Sequence, residues 1–226
     1  MIAAHVALAA SARAALINPG FETGDYTGWT AFVTENGVTN AEVSPFDVSQ
    51  DGTSSFAASF STGWDEWDVA GAPHGGGIYQ EFYSAGGSLE VRMDVAAAVQ
   101  SSNPNLVSTG GGDVRVLIDQ NLIFSHTFGY VLNNTVAVEN VWAAIELEEG
   151  LHTITILFAR DAFPSTNLRQ YVDDVSLSGT AIVPVPAALI LLISSILTLP
   201  LVRRSQLAEQ LICTVQDTPP AKCGSQ

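Results

Sequence analysis

The stretch Ser88-Leu-Glu-Val-Arg-Met-Asp-Val95 decides the fold class, because apolar and polar residues alternate along its whole length. A period of two places Leu89, Val91 and Met93 on one face of a β-strand, whereas an amphipathic helix repeats its apolar residues about every 3.6 positions. The same alternation recurs over residues 113–119, 151–158 and 170–177. The central part of the chain is therefore predicted to consist of β-strands.

Further strands are predicted in runs rich in β-branched and aromatic residues. These runs are residues 30–34, 39–44, 55–61, 78–83, 122–128 and 136–147. Turn signals that contain glycine separate the runs, for example Ala85-Gly-Gly87 and Glu149-Gly150. About eight to ten short strands without an amphipathic helix predict one all-β domain over residues 15–180, a two-sheet antiparallel β-sandwich.

The predicted sandwich is strongly acidic. Residues 15–180 contain four arginines, no lysine and 21 aspartates and glutamates, which gives a net charge of −17. Such a surface repels phosphate backbones and attracts cations, Ca²⁺ above all, so nucleic acid is not expected as a partner. The two cysteines, Cys213 and Cys223, follow this region. No disulfide is therefore expected within the sandwich, and we assign these cysteines no role.

Both ends of the chain carry patterns typical of export signals. Residues 1–14 end in Ala12-Arg13-Ala14, the A-x-A spacing of a signal-peptidase site, and are predicted to be a signal peptide. An ordinary Ala-rich first helix is the alternative. Residues 182–202 contain no charge over 21 positions, and Arg203-Arg204 follow at once. This run predicts one C-terminal transmembrane helix whose far end is cytoplasmic, with a buried core helix as the alternative.

The C-terminal segment also resembles a known class of sorting signal. Val183-Pro184-Val185-Pro186-Ala187, the apolar run and Arg203-Arg204 are similar to the VPxPA variant of the PEP-CTERM signal of Gram-negative bacteria. The resemblance implies a sorting signal at residues 181–204, recognition by an exosortase-type processing enzyme, and association with extracellular polysaccharide and biofilm. The protein would be anchored in the inner membrane before processing and would then reach the cell surface or extracellular matrix. Residues 205–226 would form a cytoplasmic or unstructured tail.

The start of the predicted sandwich resembles a second family. Asn18-Pro-Gly-Phe-Glu22, followed by Gly28-Trp29, is similar to the first strand and turn of the galactose-binding-like jelly roll, which many bacterial carbohydrate-binding modules share. Residues 51–56, 78–80 and 171–177 match later pieces of that fold in order. The resemblance implies a jelly-roll β-sandwich, but it does not specify a ligand.

A structural metal ion is implied by the same resemblance. Alternation along the closing strand places Asp173 on the core-facing side with Tyr171 and Val175, and a buried carboxylate is costly unless it is paired or bound to a metal. In jelly-roll relatives, acids at the Glu22 and Asp173 positions share a Ca²⁺ ion, with a contribution from the loop that matches residues 47–54. The implied calcium ligands are Glu22, Asp173, Asp47 and Asp51. Hydrogen bonds from backbone amides or arginines to these carboxylates are the alternative.

The segment Trp64-Asp65-Glu66-Trp67 is the candidate ligand-binding loop. An indole face stacks on the C–H face of a sugar ring, and nearby carboxylates accept hydrogen bonds from its hydroxyl groups. Packing of one or both indoles over the edge of the sandwich is the alternative. The other two tryptophans, Trp29 and Trp142, are predicted to lie in the core.

No catalytic signature accompanies these features. The sequence contains no G-x-S-x-G, H-E-x-x-H or phosphate-binding loop, so an enzyme is not expected. The sequence therefore predicts an exported, non-catalytic β-sandwich that binds or associates with extracellular polysaccharide. A structural matrix protein or adhesin without a sugar pocket, and a secreted glycan-active enzyme, are the alternatives.

Overall fold

A computed structural model describes residues 16–65 and 73–179, and within these ranges the chain forms β-strands and no helix. The ten strands are β1 (Thr30–Val33), β2 (Gly37–Phe46), β3 (Ser55–Trp64), β4 (Gly75–Val99), β5 (Ser108–Gly110), β6 (Asp113–Ile118), β7 (Asn121–Thr127), β8 (Tyr130–Leu132), β9 (Thr135–Ala159) and β10 (Leu168–Gly179). Every pairing between them is antiparallel. The prediction of an all-β domain is confirmed.

Eight of the strands form one continuous sheet that curls into two layers. Its order is β2-β3-β10-β4-β9-β6-β7, with β1 paired to β4, while β5 and β8 pair separately. The 25-residue strands β4 and β9 pair with each other from end to end, but their other neighbours change half-way. β4 pairs with β1 over residues 76–79 and with β10 over residues 89–99, and β6 pairs with β9 over residues 154–159.

The two layers follow from this change of partners. The first layer contains β2, β3, β10, the second half of β4 and the first half of β9. The second layer contains β1, the first half of β4, the second half of β9, β6 and β7. The long strands β4 and β9 therefore belong to both layers.

β4 crosses between the layers at Gly86 and Gly87. Their φ angles are +88° and +100°, a backbone region that side chains with a Cβ rarely adopt. The sequence predicts a turn here that separates two strands, and a second turn at Glu149-Gly150. Both predictions are wrong, because β4 and β9 bend together and their ladder resumes where Gly87 pairs with Leu147.

The two layers face each other across one hydrophobic core. Phe60 on β3 contacts Phe158 on β9 with ring centroids 5.1 Å apart, which joins the first layer to the second. Gln170 adds a buried polar link, since its side chain accepts a hydrogen bond from Thr62 (2.6 Å) and donates one to the carbonyl of Gly111 (2.9 Å). This curled antiparallel architecture is consistent with the predicted jelly-roll β-sandwich.

The segment before β1 packs against the same core. Phe21 and Trp29 are buried with ring centroids 5.7 Å apart, and the indole N–H of Trp29 donates to the carbonyl of Asn18 at 3.1 Å. Gln80 of β4 holds the backbone of Ile17 through two hydrogen bonds, of 2.6 and 3.0 Å. The prediction that Trp29 lies in the core is confirmed.

The predictions for the two ends of the chain fall outside the described residues. They concern the signal peptide (residues 1–14), the sorting signal with its membrane helix (residues 181–204) and the tail (residues 205–226). Within residues 16–65 and 73–179, no helix is long and apolar enough to cross a membrane.

Candidate functional site

The outer face of the first layer, opposite the core, is covered over one half. Tyr171 on β10 stacks on Phe46 at the end of β2, with ring centroids 3.7 Å apart and planes 5° apart. The other buried residues of this small apolar cluster are Val48, Ala57, Ala96 and Ala98. The chain that follows β2 therefore shields this half, whereas side chains farther along β4 and β9 remain exposed.

A cleft of about 280 Å³ lies on the open half, and we call it the Trp142 cleft. It is lined by Arg92, Met93, Asp94, Asn140, Val141, Trp142 and Asp174. Arg92 pairs with Trp142 across the β4–β9 ladder, and Asp94 pairs with Asn140. Directly paired residues of antiparallel strands project to the same side, so these four side chains share one surface.

Trp142 is 56% exposed, and the prediction that it lies in the core is wrong. Its neighbours Val141 and Ala143 are buried, and Ile145 packs against the core two positions farther on. Because side chains of a strand alternate between faces, Trp142 must point outward. The period-two pattern of Val141, Ala143 and Ile145 is the sequence signal that could have located it.

The polar groups of the cleft keep unused hydrogen-bonding capacity. The Asn140 amide donates to Oδ1 of Asp94 at 2.5 Å, and Arg92 donates to Glu90 at 3.2 Å, which leaves other N–H groups of the guanidinium available. The Asp174 carboxylate accepts no hydrogen bond from the described residues. The cleft thus combines an exposed indole face with donors and acceptors on both sides of it.

A β-bulge in β10 lies beside this cleft. The register of β10 against β4 shifts between Asp173 and Ser176, and Asp174 has a φ of +50°. Val172 and Val175 belong to the main core, whereas Tyr171 belongs to the outer apolar cluster. The prediction that Tyr171, Asp173 and Val175 share the core-facing side is therefore wrong, because the bulge reverses the alternation.

Asp173 is nevertheless buried, with only 3% of its surface exposed. The Ser55 hydroxyl donates to its Oδ2 at 2.6 Å, and the backbone N–H of Asp174 donates to its Oδ1 at 2.8 Å. Burial raises the pKa of Asp173 to about 6, the charges of Asp174 and Glu22 add to the rise, and the two hydrogen bonds oppose it. The alternative prediction is that backbone amides or arginines donate hydrogen bonds to the buried carboxylates. For Asp173 one backbone amide does so, but the other donor is the Ser55 hydroxyl and no arginine among the described residues pairs with it.

Asp173 belongs to a set of carboxylates that we call the acidic cluster, namely Glu22, Asp51, Asp94, Asp173 and Asp174. Burial raises the pKa of Asp174, and the charges of Asp94, Glu22 and Asp51 raise it further. The carbonyl of Pro19 accepts a hydrogen bond from the Val175 N–H at 3.1 Å, which holds the Glu22 loop against the bulge. Among the described residues, no arginine forms an ion pair with any member of the cluster.

The acidic cluster suits calcium in its chemistry, since Ca²⁺ prefers oxygen ligands. It is not a finished coordination shell: within the described ranges, no three acidic, histidine or cysteine side chains are arranged to hold a metal ion. Of the four predicted ligands, Glu22, Asp51 and Asp173 contribute to the cluster. The carboxylate of Asp47 instead accepts hydrogen bonds from the backbone N–H groups of Asp51 (3.1 Å) and Gly52 (2.8 Å) in its own loop.

The predicted tryptophan loop begins at the end of β3. Trp64 is half-buried and packs edge-on against His74 and Phe163, with ring centroids 5.9 and 5.7 Å away. Asp65 is exposed beside it, while Glu66 and Trp67 lie outside the described residues. A paired-indole platform in this loop therefore stays a prediction.

No protein-family model matches the sequence, and no curated protein matches it. Several solved structures are similar to it at low identity. A CBM4 carbohydrate-binding module is 14% identical, with 74% of this chain and 100% of that chain covered and a TM-score of 0.40. A CBM36 module in complex with calcium and xylotriose is 15% identical, with 66% and 99% covered and a TM-score of 0.32.

The enzymatically active domain of tailspike protein 4 from bacteriophage CBA120 is also similar. It is 15% identical with a TM-score of 0.38, and the match covers 73% of this chain but only 21% of the tailspike. The chain thus spans about a fifth of that protein. The strand pairing of this chain itself defines its fold.

Proposed function

We propose that this chain is a non-catalytic carbohydrate-binding β-sandwich and that the Trp142 cleft is its binding site. The exposed indole of Trp142, in a cleft bordered by Arg92, Asp94 and Asn140, is the observation that carries the proposal. The indole would stack on the apolar face of a sugar ring, while the guanidinium, carboxylate and amide groups would exchange hydrogen bonds with its hydroxyl groups. The ligand would be an extracellular polysaccharide.

A single exposed aromatic residue would be weak support, because such residues are common on protein surfaces. Trp142 differs because the groups around it also suit a polyol. Asp174 brings an unoccupied carboxylate, and Arg92 retains free donors beyond its contact with Glu90. An apolar stacking surface with a few convergent polar groups is the usual composition of a small-ligand site.

The experiment compares glycan binding by the full-length protein with that of Trp142→Ala. We expect affinity to fall at least about fivefold, since a stacked aromatic contact contributes on the order of 1 kcal/mol or more. The melting temperature should change little, because more than half of Trp142 is already exposed. Tyr130→Ala, at a residue 82% exposed on β8, is the matched aromatic control and should bind normally.

Three results would contradict the proposal. Unchanged binding by Trp142→Ala together with loss of binding by Trp64→Ala would move the site to the Trp64 loop. Absence of binding to any glycan would favour the structural matrix protein or adhesin. Turnover of a polysaccharide by the purified protein would make it an enzyme.

We also propose that the acidic cluster takes up Ca²⁺, with carboxylate oxygens of Glu22, Asp51 and Asp173 as ligands. The support is the burial of Asp173, whose pKa is raised further by the charge of Glu22, and the charges of Glu22 and Asp51 that raise the pKa of the adjacent Asp174. A bound divalent cation would offset part of the negative charge of the cluster and tie the Glu22 loop to β10. The hydrogen bond from Val175 to Pro19 already positions this loop.

The export route is a further part of the proposal, and it is supported by the sequence alone. Residues 1–14 would direct secretion, and Val183, Pro184, Pro186, Ala187, Arg203 and Arg204 would form the signal read by an exosortase-type enzyme. A reporter fused to residues 182–226 should fractionate with the inner membrane, with its C-terminus inaccessible to protease from the periplasm. A fusion that remains soluble without proteolysis would contradict this route.

A further inference from the structure

We propose that the Trp142 cleft selects glycans that carry protonated amino groups, such as polymers of unacetylated hexosamine, over neutral and acidic glycans. This inference rests on the proposed function and names the substrate class of the same site. Its basis is the imbalance of charge around the exposed indole.

The lining of the cleft is negative where a ligand would lie. Asp94 and Asp174 are its two carboxylates, and Arg92 is its one cationic residue among the lining side chains. Glu90 already accepts hydrogen bonds from Arg92 at 3.2 and 3.4 Å, so that positive charge is largely compensated. Oδ2 of Asp94 and both oxygens of Asp174 accept no hydrogen bond from the described residues.

Carboxylates outside the cleft lining add to its negative charge. Glu22 and Asp51 lie close enough for their charges to act on Asp174. Like charges separated by several ångströms near a protein surface repel one another, and salt screens this repulsion. An ammonium group in the cleft relieves this repulsion, whereas a uronate or sulfate group increases it.

Trp142 fits the same ligand. An indole face attracts a cation within about 6 Å, so an amino sugar gains a cation–π contribution in addition to the stacking that any pyranose provides. A neutral sugar would leave the charges of Asp94 and Asp174 uncompensated. The cleft, at about 280 Å³, is slightly smaller than the usual range for small-ligand sites and suits a short saccharide segment rather than a protein surface.

The test measures binding of the full-length protein to three oligosaccharides of equal length: unacetylated oligoglucosamine, its N-acetylated form and oligogalacturonate. The buffer is mildly acidic, so that the amines are protonated, and it contains a chelator, so that no divalent cation bridges an acidic sugar to the cluster. We expect the unacetylated oligomer to bind at least about tenfold more tightly than the acetylated one. The acidic oligomer should bind most weakly, and rising salt should reduce only the preference for the amine.

Two carboxylate variants identify the groups responsible. Asp174→Asn and Asp94→Asn should each weaken binding of the unacetylated oligomer about two- to fivefold more than they weaken binding of the acetylated oligomer. Asparagine tolerates the positive φ of residue 174, so the bulge is preserved. Glu81→Gln removes an equal charge from an exposed site on the second layer and should change neither affinity. Melting temperatures no lower than that of the wild type confirm that the variants are folded.

The outcomes separate this inference from the proposed function. Equal binding of both oligomers, abolished by Trp142→Ala, would overturn the amine preference and keep the carbohydrate site. Binding of neither oligomer, nor of any other glycan, would overturn both. If Glu81→Gln reduces affinity for the unacetylated oligomer as much as Asp174→Asn does, the oligomer is attracted to the acidic surface as a whole. This result would overturn the proposal of a selective cleft.

Discussion

Asp173 is a carboxylate that is buried without pointing into the main core. It pairs with Asp94 across β4, on the outer side of the first layer, and is covered by Ser55 and the neighbouring loops. Burial contributes most to its raised pKa of about 6. Its ionised form is therefore less stable in the folded protein than in the unfolded chain, which makes Asp173 a source of pH-dependent stability.

Asp173→Asn should make the folding stability less dependent on pH when a chelator is present. With a folded pKa of about 6 against an ordinary value of 3.8, the folded protein retains a proton between these pH values that the unfolded chain has released. Stability of the wild type therefore falls as the pH rises through this window, and the asparagine variant lacks this contribution. Chemical denaturation at a series of pH values should show the variant gaining about 1 to 3 kcal/mol on the wild type between pH 4 and pH 7. Parallel stability curves for the two proteins would contradict this expectation.

At the scale of single strands, β10 and β9 show what a sequence pattern locates and what it misses. The sequence predicts strands over residues 136–147, 151–158 and 170–177, which lie within β9 and β10, and the motif at the start of the sandwich places Trp29 in the core. The sequence predicts that Tyr171, Asp173 and Val175 face the core together, and this is wrong for Tyr171 and Asp173, because a bulge depends on pairing with β4 and leaves no mark in the alternation of β10. The outward orientation of Trp142, by contrast, follows from the sequence itself, because Val141, Ala143 and Ile145 alternate with it along β9.

The bends of β4 and β9 illustrate a second limit of the sequence. Gly86-Gly87 and Gly150 are typical of turns, and nothing local distinguishes a turn that ends a strand from a bend that the partner strand follows. The distinction depends on pairing between residues that are about 60 positions apart along the chain, such as Gly87 with Leu147. The sandwich could thus be predicted from the sequence, but not the continuity of its two long strands or the cleft that they form.

At the scale of the whole molecule, the arginines offset little of the acidic charge. Three of the four in the sandwich pair with carboxylates outside the acidic cluster: Arg92 with Glu90, Arg115 with Asp113 and Arg169 with Glu42. The fourth, Arg160, is buried and donates to the carbonyls of Gly110 and Phe163. The remaining net charge of −17 over residues 15–180 therefore destabilises the folded domain through repulsion between its carboxylates, and any dissolved cation reduces this repulsion by screening.

Calcium should stabilise the full-length protein beyond this general screening, because the acidic cluster supplies several carboxylate oxygens at one place. A ligand that binds only the folded state stabilises it by RT ln(1 + [L]/Kd), about 2.7 kcal/mol at a hundredfold excess over Kd. For a domain of this size the melting temperature should rise by roughly 5 to 10 °C relative to chelator. Magnesium at matched ionic strength should give a smaller rise, since it demands near-ideal octahedral geometry and loses its water reluctantly.

Two variants determine whether that rise comes from the acidic cluster. Asp173→Asn should abolish most of the difference between calcium and magnesium, whereas Glu81→Gln, which removes an equal charge from the second layer, should preserve it. Asp174 is unsuitable as the control, because its pKa is raised by the charges of Glu22 and Asp51 and it therefore lies within the same cluster. If both cations raise the melting temperature equally, or if both variants lower the calcium response equally, the cations act on the acidic surface as a whole. The buried carboxylate at Asp173 would then be accommodated by protonation and by its hydrogen bonds from Ser55 and Asp174, without a metal ion.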